Sequence, residues 1–275
     1  MTMRNRVPIW LSVFGAVFFW NIFLAPMLTI WLRVAGLSPG LIQLLLFLLF
    51  LLLLLEVMGK ILIVQAVSQP LQLVPMQRDA CEGDEWGDEW DGCDRAALTQ
   101  NTAAFKQLGF VQLQDFTTPA IKGGARLMAH PQLHCFVEIG QVQRLPMFCT
   151  LGGVLERHWD LNVTNTPAKG KLDAISYAFL RHPQVLTKRF PGAAPEELLQ
   201  AFLDWRQQVT AELNIQPVPF STAEDYFAMM QRRQRSRQQA LWRKSIIWGL
   251  VEAVAFCLNP RSEWLGNYAK AKQRL

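Results

Sequence analysis

Apolar residues dominate two long stretches near the N-terminus of the chain, residues 8–32 and 41–67, and a turn-forming segment at 36–40 separates them. As a helix, each stretch is long enough to cross the hydrocarbon core of a bilayer, which is about 30 Å thick. A cleaved signal peptide is the alternative for the first stretch, but its apolar region would be shorter, and no small-residue cleavage site follows. The pattern therefore predicts a transmembrane hairpin of two helices within residues 1–68.

Two charged residues, Glu56 and Lys60, interrupt the second apolar stretch. A spacing of four with the acid first places them on one helical face in the favourable order. We expect this polar pair to lie near the membrane interface, with Lys60 extending into the headgroups. The alternative is an internal polar contact, with Asn21 as a candidate partner, that holds the helices together.

Basic residues around the predicted hairpin indicate its orientation. Arg4 and Arg6 precede the first helix, whereas the connecting loop carries only Arg33. Because basic residues flanking a span favour the cytoplasmic side, both ends of the hairpin and the following domain are predicted to be cytoplasmic. The lack of eukaryotic targeting signals favours a bacterial plasma membrane or an internal membrane.

Residues 69–94 read as a linker that is rich in acids and repeats the motif GDEW. We expect a flexible acidic loop whose like charges repel one another, and the alternative is a loop that docks a basic partner surface through its indoles and carboxylates. A weak divalent-cation site is an alternative, but the ligand spacing of a calcium loop is missing. A Cys81–Cys93 disulfide would need an oxidising compartment and so competes with the cytoplasmic assignment. The predicted partner-binding residues are Asp84, Glu85, Trp86, Asp88, Glu89 and Trp90.

Short alternating runs and two helical patterns in residues 95–218 predict a soluble α+β domain. We expect an antiparallel sheet of about four to six strands, with one face covered by helices. Helices are predicted at 95–108 and 195–213. Strands are predicted at 110–116, 125–129, 134–142, 147–155 and 157–164, with further extended pieces at 175–180 and 185–190.

Residues 219–275 begin with a capping box, Ser221 to Glu224, which predicts a long helix that is first basic and then apolar. The apolar part, 245–258, rises only about 21 Å and is too short to span, so we expect it to lie in the interface or to pack on the hairpin. A third span and a core helix are the alternatives. The bases predicted to contact the membrane surface are Arg232, Arg233, Arg235, Arg237, Arg243 and Lys244.

Few residues suggest catalysis. In an extended strand, Glu156, His158 and Asp160 would share one face, and they form a weak catalytic candidate. His130 and His134 flank Pro131, which favours a turn with exposed histidines over a helical metal site. Phosphate loops, dinucleotide fingerprints and nucleophile elbows are missing. We therefore expect no cofactor and no metal.

The leading functional hypothesis is a non-enzymatic membrane protein whose α+β domain binds or scaffolds a partner. Its expected partners are membrane lipid and a protein, either another protein or a second copy of the chain. The net charge of +5 is no argument for nucleic acid, since acids and bases occupy separate segments, 79–94 and 232–244. The alternative is a membrane-tethered enzyme or small-ligand sensor with a polar cleft. A transporter component is a third reading, suggested only by Glu56 and Lys60.

Overall fold

A computed structural model describes residues 17, 19–68, 74–75, 93–118, 121–142, 145–168 and 170–273. The described residues divide into two compact units. We call Met1–Ser68 with Gln238–Glu252 the helical unit, and Gln69–Arg237 with Ala253–Leu275 the sheet unit.

The helical unit contains the apolar stretches. Helix α1 covers Ala25–Val34, directly after a π-helical turn at Trp20–Leu24, and α2 covers Pro39–Ser68. The rings of Trp20 and Phe50 lie 5.6 Å apart, so the first helical segment packs on α2. Among the described residues, one helix is long and apolar enough to cross a membrane, the 24 residues Pro39–Leu62.

In the described part of the chain, the first predicted span does not form a helix of membrane length. Helix α1 has 10 residues. Residues 8–16 and 18 of the predicted span lie outside the described residues.

In the described part of the chain, the sheet unit has eight strands that lie side by side in chain order. All neighbours pair antiparallel except β6 and β7, which are parallel. The strands are β1 Val74–Pro75, β2 Val111–Thr118, β3 Ile121–His130, β4 Cys135–Val142, β5 Phe148–Leu155, β6 Trp159–Thr164, β7 Val185–Arg189 and β8 Glu263–Trp264.

The sheet is therefore mixed, and the prediction of an antiparallel sheet is wrong at β7. Helix α3, at Arg95–Gln107, precedes β2. Residues 175–180 were expected to be extended, but they are helical. Helix α4, at Lys171–Ile175, continues into a π-helical turn at Ser176–Leu180. This helical crossover returns the chain to the starting end of β6, and β7 consequently runs parallel to it. The α+β class itself is confirmed.

Helices cover both faces of the sheet, whereas the sequence predicted cover on one. The further helices are α5 Pro195–Leu213, α6 Ala223–Arg243, α7 Ile246–Leu258 and α8 Tyr268–Lys272. On one face, Val137, Leu151 and Leu161 pack with residues of α3 and α5 such as Phe105 and Phe202.

On the opposite face, Phe116, Leu127 and Phe136 pack with Tyr226 and Met229 of α6. Since successive side chains of a strand point to opposite faces, the central strands β3, β4 and β5 contribute to both cores.

Side chains that accept hydrogen bonds from backbone N–H groups cap the starts of α3 and α6. Asp94 accepts a hydrogen bond from the Ala97 N–H at 3.0 Å and caps α3. For α6 the cap lies one residue later than predicted: Thr222 Oγ1 accepts from the Asp225 N–H at 3.1 Å, and Asp225 Oδ2 accepts from the Thr222 N–H at 3.3 Å. This reciprocal pair is a capping box in which aspartate replaces the usual glutamate.

Candidate functional site

The sheet face beneath α6 carries a group of polar side chains next to its apolar core. Strand alternation sends Asp160 and Asn162 of β6 to this face and Leu161 and Val163 to the other. We call the group the α6 polar cluster. Its members are Glu138, Asp160, Asn162, His182, Tyr226, Arg233, Ser236 and Arg237.

An ion pair between Asp160 and Arg233 is the centre of the cluster. Arg233 Nε donates to Asp160 Oδ2 at 2.7 Å, and its Nη2 donates to Asn162 Oδ1 at 3.4 Å. Asp160 is 4% exposed and Arg233 is 9% exposed. Two atoms of the cluster, Asp160 Oδ1 and Arg237 Nε, are buried without a hydrogen-bond partner among the described residues. Buried charges need pairing, so this contact fixes the position of α6 on β6.

A tyrosine and a carboxylate form the second contact of the cluster. Tyr226 Oη donates to Glu138 Oε2 at 2.8 Å. Burial raises the pKa of the Glu138 carboxyl, which the tyrosine hydrogen bond partly opposes. Burial likewise raises the pKa of Tyr226 well above its usual value, so its hydroxyl remains a donor at neutral pH.

The third contact joins His182 to Ser236, a pair that resembles half of a nucleophilic site. His182 Nδ1 accepts a hydrogen bond from the Gln184 N–H at 3.1 Å, which places the proton of the neutral ring on Nε2. Nε2 therefore donates to Ser236 Oγ in this short contact. A general base must instead accept the hydroxyl proton, so this tautomer orients Ser236 and does not activate it.

The sequence-predicted row of Glu156, His158 and Asp160 is not assembled. Glu156–His158 form a 3₁₀ turn in which Arg157 and His158 have φ values of 55° and 62°, and β6 begins only at Trp159. Glu156 and His158 therefore lie outside the strand, and the alternation of strand side chains does not apply to them. Glu156 Oε2 accepts from the Gln216 N–H at 3.0 Å on the surface, whereas Asp160 is buried.

His158 is exposed, and its Nδ1 lies 3.4 Å from Arg232 Nη1. The expectation of a strand over 157–164 is thus wrong for its first two residues. The backbone reversal that separates the three side chains occurs at non-glycine residues, which carry no strong turn signal.

The basic residues predicted to contact a membrane surface divide into two groups. Arg232, Arg235 and Arg243 are exposed. Arg233 and Arg237, four residues apart on α6, belong to the polar cluster of the sheet unit. Lys244 pairs with Glu252 at 2.6 Å within the helical unit.

Glu56 and Lys60 meet in the helical unit. Lys60 Nζ lies 3.0 Å from Glu56 Oε1. Glu56 Oε2 accepts from the backbone N–H groups of Ile246 and Ile247 at 2.7 and 3.2 Å, and from Ser245 Oγ at 3.2 Å. The partner of the pair is therefore the start of α7. The side chain of Asn21, the partner considered from the sequence, lies outside the described side chains.

The remaining features are the acidic loop, the two histidines that flank Pro131, and the thiol of Cys149. The acidic loop, with Trp86 and Trp90, lies outside the described residues. His130 and His134 bound a turn as predicted, but His130 is 9% exposed and its Nδ1 accepts from the Leu133 N–H. Burial raises the pKa of the Cys149 thiol to about 12, so it is not a thiolate at neutral pH.

The cluster carries acid, base and hydroxyl groups, but its geometry uses most of them to hold α6 against β4 and β6. Sequence reasoning found Asp160 and missed Arg233, His182 and Ser236 as its neighbours. Only the i, i+4 spacing of Arg233 and Arg237 hinted that one face of α6 turns inward.

Comparison with models of protein families, with curated proteins and with solved structures finds no match to this chain.

Proposed function

We propose that this chain is an integral membrane protein that holds its sheet unit at the membrane surface, where the unit binds a protein partner. One observation carries the proposal: Pro39–Leu62 is 24 residues long and apolar, and only 6% of its most apolar window is buried. A core helix of a soluble protein would bury its apolar surface. Lipid is the environment that suits an exposed helix of this length.

A second crossing by residues 8–32 completes the proposed anchor. The Trp20–Phe50 ring contact supports a close pairing of the first helical segment with α2. Arg4 and Arg6 outnumber Arg33, the single base between the two proposed crossings, which favours a cytoplasmic location for the sheet unit. A reporter fused to the C-terminus tests this: alkaline phosphatase activity would contradict the cytoplasmic placement, and fluorescence of a green fluorescent fusion would support it.

Partner binding is preferred over catalysis because the described polar side chains mostly satisfy one another. Arg233 neutralises Asp160, and the tautomer of His182 leaves Ser236 unactivated. We assign partner contact to the acidic loop with Trp86 and Trp90, since indoles and carboxylates suit a basic protein surface. The partner is another protein or a second copy of this chain.

A small-ligand sensor is the second candidate function. It is favoured by Asp160 Oδ1 and Arg237 Nε, which are buried without hydrogen-bond partners in the described part of the chain. A ligand hydroxyl could donate to the first atom and accept from the second. Loss of ligand-induced thermal stabilisation in Asp160→Asn would support this function.

Alkaline carbonate extraction and cross-linking test the main proposal. We expect the chain to stay in the membrane pellet at high pH and to leave it only with detergent. Cross-linking in native membranes before purification should return a defined stoichiometric complex, and Trp86→Ala with Trp90→Ala should reduce its yield. Phe190→Ala, an exposed aromatic elsewhere on the sheet unit, is the matched control. A monodisperse monomer without cross-linked products, or extraction by carbonate alone, would contradict the proposal.

A further inference from the structure

Three aromatic rings in the sheet unit pack together where α7 ends. The rings of Tyr177 and Phe256 are stacked, with centroids 5.0 Å apart and planes at 30°. The Trp264 ring meets them edge-on at 5.6 Å and 6.2 Å. This packing anchors the last turns of α7 to the segment that follows α4.

Two arginines converge on Tyr177. The Cζ atoms of Arg181 and Arg261 lie 4.4 Å and 5.9 Å from the centroid of its ring, and Arg261 Nη1 is 3.2 Å from the Tyr177 hydroxyl, to which it donates. The tyrosine ring stabilises both guanidinium groups through its π face.

Neither arginine has a carboxylate counter-ion within the described residues, although the bases beside them do. Arg189 pairs with Asp173 at 2.8 Å, and Lys188 pairs with Glu263 at 3.3 Å. Two like charges held near one ring without an acid repel each other. An anion that reaches both groups would remove this repulsion, and guanidinium groups match a phosphate in shape and charge.

Exposed apolar side chains lie on the last turns of α7, which also carry Phe256 of the aromatic cluster. Leu258, the last residue of α7, is 83% exposed and Val254, one turn earlier, is 60% exposed. Arg261 follows Leu258 by three residues. An apolar helix end, an aromatic cluster and unpaired bases are the groups that proteins place at the lipid–water interface.

We propose that Arg181 and Arg261 bind the phosphate of an anionic phospholipid headgroup, while Val254 and Leu258 contact its acyl chains. This inference rests on the proposed membrane function and names the lipid and its site. Lipid is favoured over free phosphate or an acidic peptide, because both of those would leave Leu258 in water. The site differs from the α6 bases that the sequence suggested, since Arg233 of that set is buried against Asp160.

Native mass spectrometry of the full chain in detergent tests this site. The protein is titrated with phosphatidylglycerol or phosphatidylcholine and compared with Arg181→Gln/Arg261→Gln. We expect the wild type to prefer phosphatidylglycerol, and the double variant to bind it roughly thirtyfold more weakly, because each base near a membrane surface contributes about fivefold. Arg232→Gln/Arg235→Gln, which neutralises two exposed bases of α6, is the matched control and should retain wild-type binding.

Three further arms complete the experiment. Arg181→Lys/Arg261→Lys keeps the charge and should restore most of the binding, which separates headgroup contact from misfolding. Millimolar inorganic phosphate should not displace the lipid. Equal affinity for the two lipids, unchanged binding in the glutamine variant, or displacement by phosphate would each overturn the inference. Carbonate extraction of the glutamine variant tests the membrane function separately, because α2 is intact and the variant should still resist extraction.

Discussion

Glu56 Oε2 accepts a hydrogen bond from the backbone N–H of Ile246 at 2.7 Å, across a separation of 190 residues. The first N–H groups of a helix have no partner within it, and a side chain just before the helix normally caps them. Ser245 does this at α7, where its Oγ accepts from the Trp248 N–H at 3.3 Å, and α2 supplies a second cap through Glu56. The carboxylate also lies at the positive end of the helix dipole, and Lys60 holds it from the other side.

Removing this cap should loosen the helical unit. We expect Glu56→Ala to lower the free energy of unfolding by about 1–2 kcal/mol, because up to three hydrogen bonds to the start of α7 are lost. Glu56→Gln keeps an acceptor and should lose less. Unfolding by sodium dodecyl sulfate in mixed micelles, followed by tryptophan fluorescence, measures the change. Gln43→Ala, at an exposed position of α2, is the control; an equal effect there would contradict a specific cap.

Gly59 allows the close approach of Ile246 to α2. A Cβ added at Gly59 would lie 2.8 Å from Ile246 Cγ2, which is closer than van der Waals contact. We expect Gly59→Ala to destabilise the helical unit by about 1–3 kcal/mol, as overpacking of a close contact does.

Two comparisons sharpen this prediction in the same micelle assay. A Cβ at Gly40 meets nothing within 4 Å, so Gly40→Ala should be neutral or stabilising. Ile246→Ala should restore much of the stability that Gly59→Ala loses, because it removes the side chain that the new Cβ would contact. Additive effects of the two substitutions would argue against this contact.

The Asp160–Arg233 pair should behave as a coupled unit. Asp160→Ala leaves a buried guanidinium without its carboxylate and should cost about 3–5 kcal/mol. Arg233→Met should cost a similar amount, and the double variant should lose much less than the sum. Urea unfolding of the detergent-purified protein measures all three. Glu263→Ala, which breaks the more exposed pair with Lys188, is the control and should cost below about 1 kcal/mol.

The Tyr226–Glu138 contact predicts a pH-dependent difference. Burial raises the pKa of Glu138 above its usual 4.5, so the native state holds this proton more tightly than the unfolded chain does. Protonated Glu138 therefore contributes its full stabilisation of the native state below pH 4.5, and this contribution is lost as the pH rises through the pKa of Glu138 in the folded protein. Glu138→Gln keeps an acceptor for Tyr226 and should equal or exceed the wild type in stability at neutral pH.

Tyr226→Phe, by contrast, leaves the carboxylate without its donor and should cost about 1–3 kcal/mol. Unfolding free energies between pH 4 and 8 for the wild type and the two variants provide the measurement. A Glu138→Gln protein that is less stable than the wild type at every pH would refute the assignment.

His182 predicts the opposite pH dependence. Desolvation lowers its pKa below 6.5, Arg237 and Arg233 lower it further, and Asp160 partly opposes them. The unfolded state therefore binds the proton more readily, and the contribution to stability is present above pH 6.5 and lost as the pH falls through the folded pKa. Protonation also converts Nδ1 into a donor and breaks its bond from the Gln184 N–H.

His182→Asn should flatten the dependence of unfolding free energy on pH below about 6.5, where an unperturbed histidine titrates. An unaltered slope in His182→Asn would assign the acid sensitivity to other groups.

Local patterns predicted most elements of the sheet unit. Helix α5 begins and ends as expected, at Pro195 and Leu213, because its proline, its first-turn acids and its apolar period all lie within the segment. The prediction of an extended segment at 175–180 is wrong because a short apolar run has the same composition in a buried strand and in a buried helix. The direction of β7 follows from that helical crossover, which joins strands distant in sequence.

The sequence by itself determined that α2 is a helix of membrane length, because preference for lipid or water is a property of the side chains alone. Tertiary structure decided what the charged residues do. Asp160 is an anchor for α6 because Arg233, 73 residues away, meets it, and Glu56 is a cap because α7 begins beside it. The free energy of a buried polar group depends on its neighbours in space, and a linear pattern does not specify which neighbours those are.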